Sequence, residues 1–187
     1  MDVAGLGVLA VLWAAWLASW LAAARWSART VIRQPVGERI LHSVPIWGGL
    51  ILVLARPEAL GSLPFPATDW LAWAGIALAL AGLAWTWWAR IHLGRMWSIE
   101  AALKEGHTLV RSGPYALTRH PIYSGLLVAF AGTELVDGRP STLIGLLVIV
   151  AGLVLKLRQE ERILASHFGE AYRSYQSRVR ALVPGIW

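Results

Sequence analysis

The 187-residue sequence contains no cysteine, which excludes disulfides, thiolate metal sites and a cysteine nucleophile and leaves the redox compartment unreadable. Charge is also scarce. Only 15% of residues are charged against 57% hydrophobic, whereas soluble domains carry about a quarter charged residues. Acidic residues are the rarer sign, 11 against 17 Lys and Arg, for a net charge of +6. What the chain has in quantity is long apolar runs. Its length admits one domain of roughly four to six membrane helices at about 20 residues each, with no room for a separate nucleotide-binding module of the usual size.

The first run, residues 6–24, is uninterrupted by charge. Its alanine-rich end resembles a cleavage site, but the leader carries Asp2 and no basic residue, so we read it as helix one. A shorter run at 40–55 is expected to take a turn from its flanks or tilt little. The run 70–89 is bounded by Trp70 and Trp73 at one end and Trp85, Trp87 and Trp88 at the other, the positions where amphipathic rings mark headgroup levels. Runs at 122–136 and 141–155 are separated by Asp137-Gly138-Arg139-Pro140, which is turn chemistry and predicts a helical hairpin. A helical pattern continues over 156–175, with Phe168, Tyr172, Tyr175 and Val179 on one face, as a surface or cap helix. The predicted fold is all-α, an integral membrane bundle of about five transmembrane helices with a cytoplasmic helical C-terminal cap. Helices one to three fall within residues 1–89.

The basic residues flank the apolar runs, the pattern of loops facing an anionic leaflet, and no nucleic-acid motif accompanies them. Alternate connections put fifteen of the seventeen on one side; only Arg56 and Arg139 lie on the other, with Asp2, Glu58, Asp69 and Asp137. The positive-inside rule then places the N-terminus outside and the C-terminal tail in the cytoplasm, which needs an odd number of spans. Glu134, near the outer end of helix four, reads as a snorkelling group, and Gly75 to Gly82 as close helix packing.

The hairpin also has a geometric consequence. About 15 residues of helix four rise roughly 22 Å, and about 15 of helix five return the chain to the same level. Arg119, His120 and Tyr123 are thereby brought to Lys156, Arg158, Glu160, Glu161 and Arg162. Lys156 and Glu160, four apart, share a helical face. His42, His92 and His167 have no convergent partners in sequence and read as structural, and no histidine spacing suggests a metal site.

The run His107-Thr108-Leu109-Val110-Arg111-Ser112-Gly113-Pro114-Tyr115, then Arg119-His120-Pro121-Ile122-Tyr123-Ser124-Gly125, resembles the H-x-L-V-x-x-G-x-Y and R-H-P-x-Y-x-G signature of the isoprenylcysteine carboxyl methyltransferase and phospholipid methyltransferase family. Glu160-Glu161, Phe168-Gly169-x-x-Tyr172-x-x-Tyr175 and Val179-x-x-Leu182-x-Pro184 resemble its tail, and Leu93-Gly94-Arg95-Met96-Trp97-Ser98 its lead-in. The resemblance covers about residues 90–187 and implies a membrane methyltransferase using S-adenosylmethionine without a Rossmann fold. It implies cofactor contacts at Glu100, His107, Thr108, Leu109, Val110, Gly113, Tyr115, His120, Pro121, Ile122, Tyr123 and Glu160. The family commonly has an arginine for an anionic substrate where this chain has Lys156, a departure that loses the bidentate fork and lets Arg158 or Arg119 substitute. Arg119, Lys156 and Glu161 are the candidate catalytic residues, Glu161 as a proton acceptor should the acceptor be a phenol or amine, and Lys156 with Arg158 the candidate substrate contacts. The expected partner is a lipophilic or prenylated acceptor arriving through the lipids of a prokaryotic cytoplasmic membrane; prenylcysteine, lipid amine and phenolic lipid stay open. The alternative reading is a transporter or scaffold that keeps the fold.

Overall fold

The computed structural model of the chain describes residues 3–61 and 68–183. In order, these form α1 (Val3–Ala23), β1 (Thr30–Arg33), α2 (Val36–Ala55), α3 (Asp69–Leu93), β2 (Ala102–Lys104), α4 (Pro121–Asp137), α5 (Pro140–Phe168) and α6 (Glu170–Arg178), joined by short 3-10 turns. Among the described residues four helices, α1, α2, α3 and α5, are long and apolar enough to cross a membrane. The fifth expected span, α4, has 17 residues and stands at the lower limit of crossing length. The chain is a multi-pass, all-α membrane bundle.

The helices pack as two tight pairs, α3 with α4 and α2 with α5, while α4 and α5 meet more loosely. Small residues explain the tightness. A Cβ placed on Gly82 would lie 2.5 Å from the Ala129 nitrogen, and one on Gly132 would lie 2.5 Å from the Ala79 nitrogen, so any side chain there would force α3 and α4 apart. Gly49, Gly145 and Gly152 do the same for α2 and α5. Across the looser seam Tyr123 packs with Leu146, Ile149, Leu153 and Leu157 of α5, closed at one end by Ala181 and Leu182 of the tail.

Each end of the bundle is pinned differently. At one end Asp137 accepts hydrogen bonds from Arg56 and Thr142, and Gly138 turns the chain at φ +58°, a conformation that glycine adopts without steric cost. At the other, β1 and β2 pair antiparallel, with Thr30 opposite Lys104 and Arg33 opposite Ala102. This two-stranded clasp joins the α1–α2 connection to the α3–α4 connection, and helical periodicity gave no sign of it.

Helix two begins at Val36 and reaches 20 residues, taking the expected extra turn from its N-terminal flank. Three other expectations are corrected. The pattern over 156–175 is split: α5 runs unbroken to Phe168, the chain reverses at Gly169 with φ +53°, and α6 restarts at Glu170. Glu134 does not snorkel; both its carboxylate oxygens are buried and have no hydrogen-bond partner among the described residues. Of the lower tryptophans only Trp88 is exposed, while Trp87 packs inward on Trp20 and the Trp85 nitrogen is buried. Asp2, Pro184 and Trp187 lie outside the described residues.

Candidate active site

Proline at the first position of α4 costs no helical hydrogen bond, so the helix starts abruptly at Pro121 and leaves Arg119 and His120 on an extended stub. The C-terminal tail runs beside that stub. Arg119 N donates to Arg180 O at 2.8 Å, His120 N to Ala181 O at 3.0 Å, and Ser124 Oγ to Leu182 O at 2.5 Å. Both side chains are thus fixed by backbone pairing with residues sixty positions away.

Opposite them, α5 continues beyond the length needed to cross. Its 29 residues measure about 43 Å, against roughly 30 Å of hydrocarbon, so its last turns rise above the apolar layer. Lys156 and Glu160 stack one turn apart on one face, while Glu161 is turned about 100° further round. Glu160 Oε1 accepts from Tyr123 OH at 2.8 Å and lies 3.7 Å from Lys156 Nζ, which sits 5.5 Å over the Tyr123 ring. Glu161 Oε1 accepts from Arg119 Nε at 2.7 Å and is 3.2 Å from His120 Nε2. His120 stacks on Tyr123 at 5.6 Å and stands 3.6 Å from Glu160 Oε2. Two carboxylates are therefore surrounded by Lys156, Arg119 and His120.

Burial by itself would lower the pKa of His120, but hydrogen bonds and charge from Glu160 and Glu161 outweigh it and hold the ring above its ordinary value. Burial, then the cationic neighbours His167 and Lys104, lowers His107. Its Nδ1 accepts from Lys104 N at 3.2 Å, which leaves Nε2 as a donor. Burial raises Tyr175 to about 12, so this phenol, which donates to Tyr115 O at 2.5 Å, stays protonated.

Of these groups Arg119, His120, Tyr123, Lys156, Glu160 and His107, but not Glu161 or Tyr175, border a cavity of about 460 Å³ between the helix pairs, inside the 300–1,000 Å³ range of small-molecule sites. Its polar end holds Glu100, His107, Arg119, His120, Lys156 and Glu160. Aromatic rings of Tyr115, Tyr123 and Trp97 follow, and its far end runs among Trp16, Trp20, Ile46, Leu126 and Leu153 in the apolar bundle. Ile122 also reaches it. Other candidates do not line it. Thr108, Leu109 and Val110 sit on the bordering loop, and Pro121 is buried in the helix start. Gly113 faces the His92 ring rather than the cavity, and a Cβ there would collide with that ring. Glu161 is turned behind the wall toward Arg119. Arg158, two residues and about 200° round the helix from Lys156, lines a different groove, which corrects the expectation that the two share a site.

Several residues that shape the cavity carried no sequence signal. Gln159 is 2% exposed, and Gln34 joins it to the cavity rim. Gln34 Oε1 accepts from Ala101 N at 3.1 Å, its Nε2 donates to Gln159 Oε1 at 2.9 Å, and Gln159 Nε2 donates to Glu38 O at 2.8 Å. His42 Nδ1 lies 2.7 Å from the same Gln159 oxygen and serves as a second donor. Arg39 pairs with Glu100 at 2.7 Å. Arg90, fully buried, donates to Gly94 O at 2.5 Å and Ala23 O at 2.8 Å beneath the Trp97 ring. Glutamine and helix-end arginine are too common for position alone to single them out; only the partners do.

The sequence profile of the isoprenylcysteine carboxyl methyltransferase family matches residues 75–166, which run from α3 through the whole charged cluster. Over that stretch, just under half of its length, the chain is similar to this family. It is 32% identical over 120 residues to protein-S-isoprenylcysteine O-methyltransferase B of Arabidopsis thaliana, covering 63% of this chain and 61% of the relative. It is 35% identical over 101 residues to protein-S-isoprenylcysteine O-methyltransferase of Schizosaccharomyces pombe, covering 52% and 43%. A methanethiol S-methyltransferase of a Pseudomonas species is 27% identical over 161 residues, covering 82% and 53%. The matches thus span between 43% and 61% of these relatives' lengths. The family match contains Glu100, His107, His120, Tyr123, Lys156 and Glu160, all cavity-lining.

Proposed function

We propose that the chain is a membrane-embedded methyltransferase that binds S-adenosylmethionine at the polar end of the cavity and methylates a lipophilic acceptor that enters from the bilayer. The observation that carries this reading is the single cavity with a carboxylate and aromatic end at the level where α5 leaves the apolar layer and an apolar end within the bundle. The residues suit the cofactor. Glu160 and Glu100 offer acceptors for its amino group and ribose hydroxyls, and Tyr123, Tyr115 and Trp97 offer aromatic faces to a sulfonium cation. When bound, S-adenosylmethionine supplies an electrophilic methyl group.

The chain's own residues position and desolvate. Tyr123 OH and Lys156 Nζ fix the rotamer of Glu160, while Glu161 holds Arg119 and His120 in place and does not itself reach the cavity. Lys156 stands between the cofactor carboxylate and the apolar end, suited to orient an anionic or polar acceptor head. Trp16, Trp20, Ile46 and Leu126 exclude water along the acceptor's path. A carboxylate acceptor, as the matching family's name describes, needs no general base, while a thiol must arrive ionised or lose its proton to water.

The test is titration of the purified chain with S-adenosylmethionine by calorimetry, with methylated products assayed in a lipid extract. Glu160→Ala and His120→Ala are expected to weaken binding roughly ten- to a hundredfold, the loss of one charge-assisted hydrogen bond at about 1.5–3 kcal/mol. Wild-type affinity in both variants rejects the assignment.

A further inference from the structure

The back of α5 carries a second hollow that methyl transfer does not use. It is a groove of about 470 Å³ between α2, α5 and α6, lined among others by Leu41, Leu155, Arg158, Arg162, Ala165 and Gln176. Arg158 and Arg162 are four residues apart and therefore share a helical face. Arg158 is exposed and joins no ion pair among the described residues. Arg162 touches Glu38 only at 3.5 Å, with the arginine side chain 66% exposed and the glutamate 38%. The acidic residue in the lining, Glu161, is already paired with Arg119 and His120.

Depth decides what such a groove meets. Arg158 lies eighteen residues into α5, about 27 Å along its axis, close to the thickness of the hydrocarbon layer measured from the Asp137 turn. The two guanidinium groups consequently stand at headgroup level, with Leu155 one turn deeper and Leu41 beside it on α2. We propose that this groove is a binding site for one anionic phospholipid, its phosphate between Arg158 and Arg162 and an acyl chain along Leu41 and Leu155. Two forked donors match phosphate oxygens, and an excess of positive charge over an apolar trough favours an anionic lipid over a zwitterionic one. The proposal does not depend on the methyltransferase reading.

Native mass spectrometry of the full chain, released from detergent micelles doped with equal phosphatidylglycerol and phosphatidylcholine of matched chains, reads the site directly. The wild type is expected to retain one phosphatidylglycerol in preference, by about fivefold for each arginine engaged. The Arg158→Gln/Arg162→Gln double variant is expected to lose that preference. Leu41→Trp, which fills the trough and leaves the charges, is expected to lower retention of the lipid. Arg173→Gln/Arg178→Gln, which removes two exposed arginines from α6 outside the groove, is expected to leave it unchanged. Circular dichroism melts check that each variant is folded. Equal retention of both lipids by the wild type, an unaltered preference in the groove double variant, or an equal loss in the α6 variant overturns the proposal. So does conversion of a dimer to a monomer in the groove variant with lipid retention intact, since the occupant would then be a second copy.

Discussion

In the proposed mechanism Lys156 orients the acceptor: its side chain is 13% exposed, lines the cavity and lies one turn from Glu160. Lys156→Met is expected to cut turnover of a bound acceptor while leaving S-adenosylmethionine affinity within about threefold, since only the acceptor side of the pocket changes. Lys156→Arg is expected to stay active, and to gain if the acceptor is a carboxylate that its fork can grip. Normal turnover by the Met variant transfers the orienting role to Arg119. His120 supplies a pH signature of the same cluster. Its folded pKa is raised above the ordinary 6.5, so its contribution to stability is fully present below about pH 6.5 and fades as pH rises through the folded value. Apparent melting temperatures measured between pH 6 and 9 should fall for the wild type, and His120→Gln should remove that part of the slope. Arg119 and His120 were legible in the sequence because an arginine and a histidine before a helix-starting proline have few bland uses. Arg158 lines a different groove from Lys156, because a helix turns residues two apart to nearly opposite sides, a rotation that a list of nearby charges does not carry.

At the scale of elements, α5 does two tasks along one axis: its apolar half pairs with α2, and its last four turns or so present Lys156, Glu160 and Glu161. Gln159 ties these tasks together by fixing the helix to α2 through Glu38 O and to the cavity rim through Gln34. Gln159→Leu keeps the volume but strands the Gln34 amide, the His42 ring and the Glu38 carbonyl. It is expected to destabilise the protein by about 1–3 kcal/mol, seen as a lower midpoint in denaturant titration of the detergent-solubilised chain. An unshifted midpoint would mean that water replaces the amide and that the network is dispensable. Helix existence was readable from apolar runs, but the β1–β2 clasp was not. Strands of four and three residues carry no periodicity to detect, and they form only because two loops emerge side by side.

For the whole molecule, orientation rests on the fifteen-to-two division of basic residues and on the odd number of crossings it demands. The absence of cysteine makes this simple to test, since an introduced cysteine is the only thiol present. With an impermeant maleimide on intact cells, Gly138→Cys at the Asp137 turn is expected to label from outside, and Ser166→Cys near the end of α5 only after permeabilisation. Labelling of Gly138→Cys from the cytoplasmic side alone would invert the arrangement and place the polar end of the cavity outside. The loose α4–α5 seam between two tightly packed pairs is also what leaves room for a cavity.

Sequence alone determined the membrane class, the hairpin and the end of the bundle at which the charged residues gather. Each of these follows from local quantities: the length of an apolar run, the turn residues that end it, and a rise of 1.5 Å per residue. It did not determine which of the gathered residues face one another. That depends on helix rotation, set here by glycines that let α3 meet α4 and α2 meet α5, and by a C-terminal tail that holds Arg119 and His120 from about sixty residues away. Glu160 inside the cavity and Glu161 behind its wall are neighbours in the chain, and tertiary packing alone gives them different surroundings.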